Sequence, residues 1–210
     1  TGQPSVSKTS SETAAVAAAP TPTPTPKPSV GTLTAPVPKI SGTVAVGKKL
    51  TAKPGAWKPT KVKLTYQWLR SGKVIKGATK STYTLTAADK GKKVAVKVTG
   101  SLKGYVSAAK TSKATAAVKA GKLTATPVPK ISGTAKVGKT LKVKVGKWKP
   151  ATVKLSYQWQ RNGKKIKGAT KSSYKLVKAD KGKKITVKVK GSKSGYTPVS
   201  KTSKATAKIK

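Results

Sequence analysis

Val94, Val96 and Val98 alternate with Lys93, Ala95 and Lys97, and the same two-residue period runs through Leu64, Tyr66 and Trp68 against Thr65, Gln67 and Leu69. Tyr83 and Leu85 likewise alternate with Thr82, Thr84 and Thr86. Successive side chains of a strand point to opposite faces, so this period predicts antiparallel strands with one buried and one wet face. The runs are short and separated by Gly, Pro and the dipeptides Ser71-Gly72 and Asn162-Gly163, which tolerate the positive φ of a two-residue hairpin. The one helical element expected is a single turn near Ala87–Asp89.

The pattern occurs twice. KVKLTYQWLRSG at 61–72 returns as TVKLSYQWQRNG at 152–163, an offset of 91. The same offset carries PVPKISGT at 36–43 onto 127–134, STYTLTAADKGKKVAVKV at 81–98 onto SSYKLVKADKGKKITVKV at 172–189, and KTSKAT at 110–115 onto 201–206. Two units follow, 31–119 and 122–210, and a junction of only Ala120-Gly121 predicts closely set domains with limited swing. About seven short strands in about 90 residues match a sandwich of immunoglobulin size. The fold class expected is therefore all-β: two tandem immunoglobulin-like β-sandwich domains. Residues 1–30 differ, being rich in Ser, Thr and Ala and then running PTPTPTPKP at 20–28. Alternating Thr-Pro buries no core and reads as a disordered, extended linker of the kind that tethers a module to something else.

Charge changes the picture more than any motif. The 210 residues hold 47 Lys+Arg against 3 Asp+Glu, a formal net charge of +44. Residues 1–30 contribute +1, 31–119 contribute +18 and 122–210 contribute +25, so the folded domains carry the charge. Where the units differ, lysine is added between apolar positions: Thr51 becomes Lys142, Thr84 Lys175, Thr99 Lys190 and Ala117 Lys208. Each is expected to face solvent. Solvated faces and protected sheet edges are the ordinary reason for surface lysine, but solubility asks for a net charge of only about 2–8 on a small domain. Self-repulsion at this level destabilises the compact state. A positive field of that size selects anionic partners: teichoic acid, DNA or RNA, acidic glycan or an anionic membrane surface. Arg70 and Arg161 are the only arginines. Lysine, a hydrated point charge without the planar fork used for base readout, favours low sequence specificity. The binding residues expected are Lys92, Lys93 and Lys97 with Lys183, Lys184, Lys188 and Lys190, grouped on one strand and the turn before it, on a protein expected to be monomeric.

The chain lacks His and Cys, which removes disulfides and the commonest general bases, nucleophiles and transition-metal ligands. Glu12, Asp89 and Asp180 are too far apart for a carboxylate pair within one unit. Gly-Lys-Lys at 91–93 and 182–184 leads into a strand, not a helix, so it forms no phosphate-binding helix start. A non-enzymatic protein without cofactor or metal is expected. Trp68, Trp159, Tyr66 and Tyr157 are core candidates. Trp57 and Trp148, in Ala-Trp-Lys-Pro and Lys-Trp-Lys-Pro, either pack on the sandwich edge or offer a lysine-flanked stacking platform for sugars or bases.

VGKKLTAKPGAW (46–57), YQWLRSGKVIKGATKSTYTL (66–85), ADKGKKVAVKV (88–98) and GYVSAAKTS (104–112) together resemble the immunoglobulin-like repeats of secreted and surface proteins of actinobacteria, here in a lysine-rich variant. The resemblance covers nearly all of 33–119 and 123–209. It implies that Trp68 and Trp159 are the buried tryptophans of strand C, and that Asp89-x-Gly91 and Asp180-x-Gly182 form the turn before strand F. The paired cysteines of antibody domains are missing, with Val and Leu in their place. The family implies an extracellular or cell-surface adhesive module. Electrostatic attachment is thus the leading expectation, with a passive spacer or an accessory domain of a secreted hydrolase as alternatives.

Overall fold

The structure is a computed structural model that describes residues 1–2 and 30–210. The expected disordered linker falls almost wholly on 3–29, outside the described residues. Gly31–Lys210 forms one compact unit.

In the first sandwich the strands are β1 (Gly31–Thr32), β2 (Lys39–Ser41), β3 (Lys49–Lys53), β4 (Lys63–Arg70), β5 (Lys73–Val74), β6 (Thr82–Thr84), β7 (Val94–Ser101), β8 (Tyr105–Val106) and β9 (Ala108–Thr111). The second has β10 (Lys130–Ser132), β11 (Thr140–Lys144), β12 (Lys154–Arg161), β13 (Lys164–Lys165), β14 (Ser173–Lys175), β15 (Ile185–Ser192) and β16 (Val199–Thr202). A three-stranded sheet, β2-β3-β6, faces a four-stranded one, β5-β4-β7-β9; β10-β11-β14 and β13-β12-β15-β16 repeat the arrangement. Within these four sheets every strand pair is antiparallel. Single 3₁₀ turns occupy Ala87–Asp89 and Lys178–Asp180. The hairpin turns have positive φ at Ser71 and Gly72, 46° and 80°, and at Asn162 and Gly163, 47° and 78°. That is the geometry matching the right-handed twist of the strands they join.

Register puts the alternation to use. Trp68 lies opposite Val96 and Tyr66 opposite Val98 on the inner face, leaving Gln67 opposite Lys97 and Thr65 opposite Thr99 outside. Leu50, Trp68, Leu85, Val94, Val96 and Val98 are fully enclosed, as are Leu141, Trp159, Leu176, Ile185, Val187 and Val189. The Trp68 indole N–H donates to the Lys80 carbonyl at 2.9 Å, and its ring stacks on Tyr83 with centroids 5.7 Å apart. Burial contributes about 1.5–3 kcal/mol per such apolar side chain, against about 0–1 kcal/mol for a surface ion pair. The core holds each sandwich together against its coat of like charge.

The sandwiches meet at a short joint. Gly121 N–H donates to the Gly195 carbonyl and Thr197 N–H to the Gly121 carbonyl, both at 2.9 Å. The Tyr196 ring covers Gly121 and packs against the first core. A Cβ at Gly121 would lie 2.6 Å from that ring and 2.7 Å from the Val46 carbonyl oxygen. Gly121→Val is therefore expected to open the joint, and NMR relaxation should show the parent sandwiches tumbling together and those of the variant more independently, with a shorter correlation time.

Candidate functional site

Strand alternation delivers the lysines outward. Every lysine of the described residues is exposed except Lys193 and Lys201, which are half-buried, and the added Lys142, Lys175, Lys190 and Lys208 are all exposed. Negative charge is withdrawn from that surface. The two carboxylates among the described residues, Asp89 and Asp180, are completely enclosed. Arg70 Nε donates to Asp89 Oδ1 and Arg161 Nε to Asp180 Oδ1, both at 2.6 Å. Arginines and acids thus consume each other, and no lysine of the described residues has an ion-pair partner. Lys193 alone among those lysines finds protein acceptors for its ammonium, the Ala151 carbonyl and the Thr152 hydroxyl.

The Asp89 carboxylate is a structural hub. Besides Arg70, it accepts from the Thr86 backbone N–H at 2.7 Å, the Thr86 hydroxyl at 2.9 Å and the Tyr83 hydroxyl at 2.9 Å. Burial pushes this carboxyl up, but donation from the Thr86 backbone, Arg70, the Thr86 hydroxyl and Tyr83 outweighs it and holds the group below the usual carboxylate value. Burial and the bond to Asp89 push the Tyr83 hydroxyl up. Asp180 accepts from Tyr174 at 2.9 Å and the Val177 N–H at 2.8 Å. Both acids are committed to holding the 3₁₀ turn against the sheet, which leaves neither available for proton transfer.

The seven lysines singled out from the sequence do not form one cluster. Lys97, opposite Gln67 and Thr111, and Lys188 and Lys190 lie on the outer faces of the four-stranded sheets. Lys93 and Lys184 precede those strands on the same parity, their carbonyls accepting the hairpin N–H groups of Ser71 and Asn162. Lys92 and Lys183 have the parity of the buried valines, and their carbonyls accept from Val118 and Ile209. They flank the C-terminal segment of each unit.

Register adds residues that sequence reasoning passed over. Lys188 lies between Gln158 and Thr202, Lys190 between Ser156 and Ser200, and Lys165 is opposite Gln160. Lys165, Lys188 and Lys190 line a shallow depression of about 520 Å³ with Ser156, Gln158 and Ser200. On the three-stranded sheets Lys39 lies opposite Lys53 and Lys130 opposite Lys144, while Lys142 lies between Ser132 and Ser173.

Of the two readings of Trp57, packing on the sandwich and a stacking platform, the structure shows the first. Trp57 is 8% exposed and belongs to the core. Its ring face lies over Gly100, where a Cβ would overlap it. Trp148 covers Gly191 in the same way and packs against the second core while remaining half-buried. A glycine near the end of the strand admits the ring to the sandwich, so the flanking lysines are exposed while the indoles pack inward.

Facing three- and four-stranded antiparallel sheets, with an enclosed tryptophan on the strand that carries the hairpin, define a tandem immunoglobulin-like β-sandwich protein. Solved structures similar to it include two multi-domain chains. One is the three N-terminal domains of the bacteriophage RB49 Highly Immunogenic Outer Capsid protein (Hoc), 20% identical, over 79% of this chain and 58% of that one, with a TM-score of 0.35. The other is the tandem Ig repeats of Dlar, 16% identical, over 80% and 94% of the two chains, with a TM-score of 0.23. The chain thus spans 58% of the Hoc structure it matches. No protein-family model and no curated protein matches the chain.

Proposed function

We propose that this protein is a non-enzymatic attachment module that holds anionic polymers through lysine-coated sheet faces. The observation that carries this reading is the withdrawal of both described carboxylates into the core while the lysines stay outside without ion-pair partners. A surface so arranged attracts polyanions at long range and gains from releasing their counterions. Lys93, Lys97, Lys184, Lys188 and Lys190 are the principal contacts, with Lys92 and Lys183 contributing at the sandwich ends. An extracellular or cell-surface setting, as in the actinobacterial repeats that the sequence resembles, supplies such polymers as teichoic acid, nucleic acid or acidic glycan. An anionic membrane surface offers the same charge. The protein acts as a monomer and needs no cofactor.

A passive spacer is the second reading, favoured by the close joint at Gly121 and the Thr/Pro segment ahead of the sandwiches. Thermal melts separate the two. A ligand that binds only the folded state raises its stability by about 2.7 kcal/mol at one hundred times its Kd. An anionic polymer at low ionic strength should therefore raise Tm well above that in simple salt of equal ionic strength. Equal shifts in both would favour the spacer.

A further inference from the structure

The two sandwiches share a fold but not an outer face. On the four-stranded sheet of the second, Lys154, Lys165, Lys188 and Lys190 are on the outer parity. The corresponding positions of the first are Lys63, Val74, Lys97 and Thr99. The polar residues between the lysines also diverge, since Ser200 occupies the place of Ala109. We propose that the depression lined by Lys165, Lys188 and Lys190 in the second sandwich is a subsite for a linear, base-free phosphodiester polymer, a polyol phosphate, and that the first sandwich has no equivalent site. The inference rests on the polyanion-binding reading above and gives it a place and a ligand class.

The arrangement of the lysines sets this face apart from mere charge. Lys188 and Lys190 are two residues apart on β15, so their side chains emerge about 7 Å from one another on one face. Each has neutral hydroxyl or amide neighbours on the adjoining strands, Gln158 and Thr202 for Lys188, Ser156 and Ser200 for Lys190. The three hydroxyls donate to phosphate oxygens or to polyol hydroxyls without competing for charge, while the Gln158 amide N–H groups are already given to the Trp159 and Ile166 carbonyls. On the three-stranded sheet Lys142 also lies between two serines, Ser132 and Ser173, but its neighbour Lys144 faces Lys130 directly, a like-charged pair that destabilises the sheet, so only one lysine there is flanked by hydroxyls on both sides.

The ligand class follows from what the face offers. Lysine binds phosphate as a point charge, and the arginine fork that would hold carboxylate or phosphate bidentately is absent from this face, both arginines being committed to buried aspartates. Stacking of unpaired bases needs aromatic faces, and the one aromatic residue lining the depression, Tyr157, is half-buried and packs against the second core. Duplex DNA is read by a helix or ribbon inserted in a groove, while this face is a shallow sheet surface. A thin chain with phosphates on a hydroxylated backbone fits it.

The first sandwich supplies its own test, because residues already tolerated there can be moved into the second. Lys165→Val with Lys190→Thr installs the residues of Val74 and Thr99, and Val74 is 66% exposed in its own setting. Lys142→Thr with Lys175→Thr installs Thr51 and Thr84 on the opposite sheet and removes the same charge. Binding of fluorescent poly(glycerol phosphate) and of duplex DNA is measured for the full chain and both double variants by anisotropy across a salt series, with circular dichroism to confirm folding. The first pair is expected to weaken poly(glycerol phosphate) binding at least tenfold and to lower its salt slope by about 2, about one for each lost phosphate contact. The second pair should change affinity less than threefold. Val74→Lys with Thr99→Lys should strengthen binding. Equal losses in both pairs would overturn the subsite while leaving electrostatic attachment intact. Loss confined to duplex DNA would overturn the ligand class. A parent that retains neither polymer at low salt would overturn the attachment reading itself.

Discussion

Asp89→Ala is expected to destabilise the first sandwich by about 3–5 kcal/mol, because several donors lose their acceptor at once and each one left buried and unsatisfied costs about 1–3 kcal/mol. Total stability of a domain is only about 5–15 kcal/mol. In a domain of this size each kcal/mol moves Tm by about 4–8 °C, so calorimetry should show an early transition for the altered sandwich ahead of the unaltered one. The physical reason is the number of donors stranded at once. Arg70, the Tyr83 hydroxyl and both the backbone N–H and hydroxyl of Thr86 all point at the missing oxygens. Arg70→Met should cost less, because the Arg70 side chain is 30% exposed and Asp89 keeps its other donors. Equal melting of parent and Asp89→Ala would show that the hub is dispensable.

Acid tests the same hub without mutation. The folded-state pKa of Asp89 lies below its unfolded value. Its contribution is therefore fully present above the unfolded value, about 3.9, and is lost as pH falls through the lower folded one. Destabilisation of the parent should begin below about pH 4, and Asp89→Ala should lack that component. Protonating three carboxylates adds little to a charge already at +44, so the acid response reports the hub more than general repulsion.

The outline of the fold was legible because period-two alternation is a local signal. Val94, Val96 and Val98 declared their inner face, and Ser71-Gly72 its hairpin, without reference to any other strand. The repeat strengthened this, since each difference between copies tested which positions face outward. Non-local pairing was not legible. Nothing near Lys188 in sequence says that Gln158 and Thr202 will flank it, and nothing near Lys165 brings it to the same depression. That juxtaposition depends on the register of four strands. Two clues were present but unused. Gly100 and Gly191 interrupt apolar strands, the mark of a close approach, and they are where Trp57 and Trp148 enter. The sole arginine of each unit precedes the sole aspartate by nineteen residues, and those residues proved to be partners.

Affinity for an anionic polymer is expected to collapse with salt. A protein that neutralises Z phosphates on duplex DNA loses affinity with a log–log salt slope of about −0.9Z, so about 6–10 contacts cost about 10³–10⁵ between 50 and 200 mM salt. Exposed lysines without ion-pair partners should sit near this limit, because among the described residues no side-chain carboxylate pairs with them and must be displaced first. The effect should not depend on pH across the neutral range. Histidine is the only side chain whose ordinary pKa brings a change of charge between pH 5 and 8, and the chain has none. Anisotropy titrations with an end-labelled polyanion, run as a salt series at pH 5.5 and pH 8, measure both slopes. Steep and superimposable lines are the signature of a fixed lysine field. A flat salt response would mean that contacts other than charge hold the polymer, and a pH-dependent slope would locate the binding charge outside the lysines.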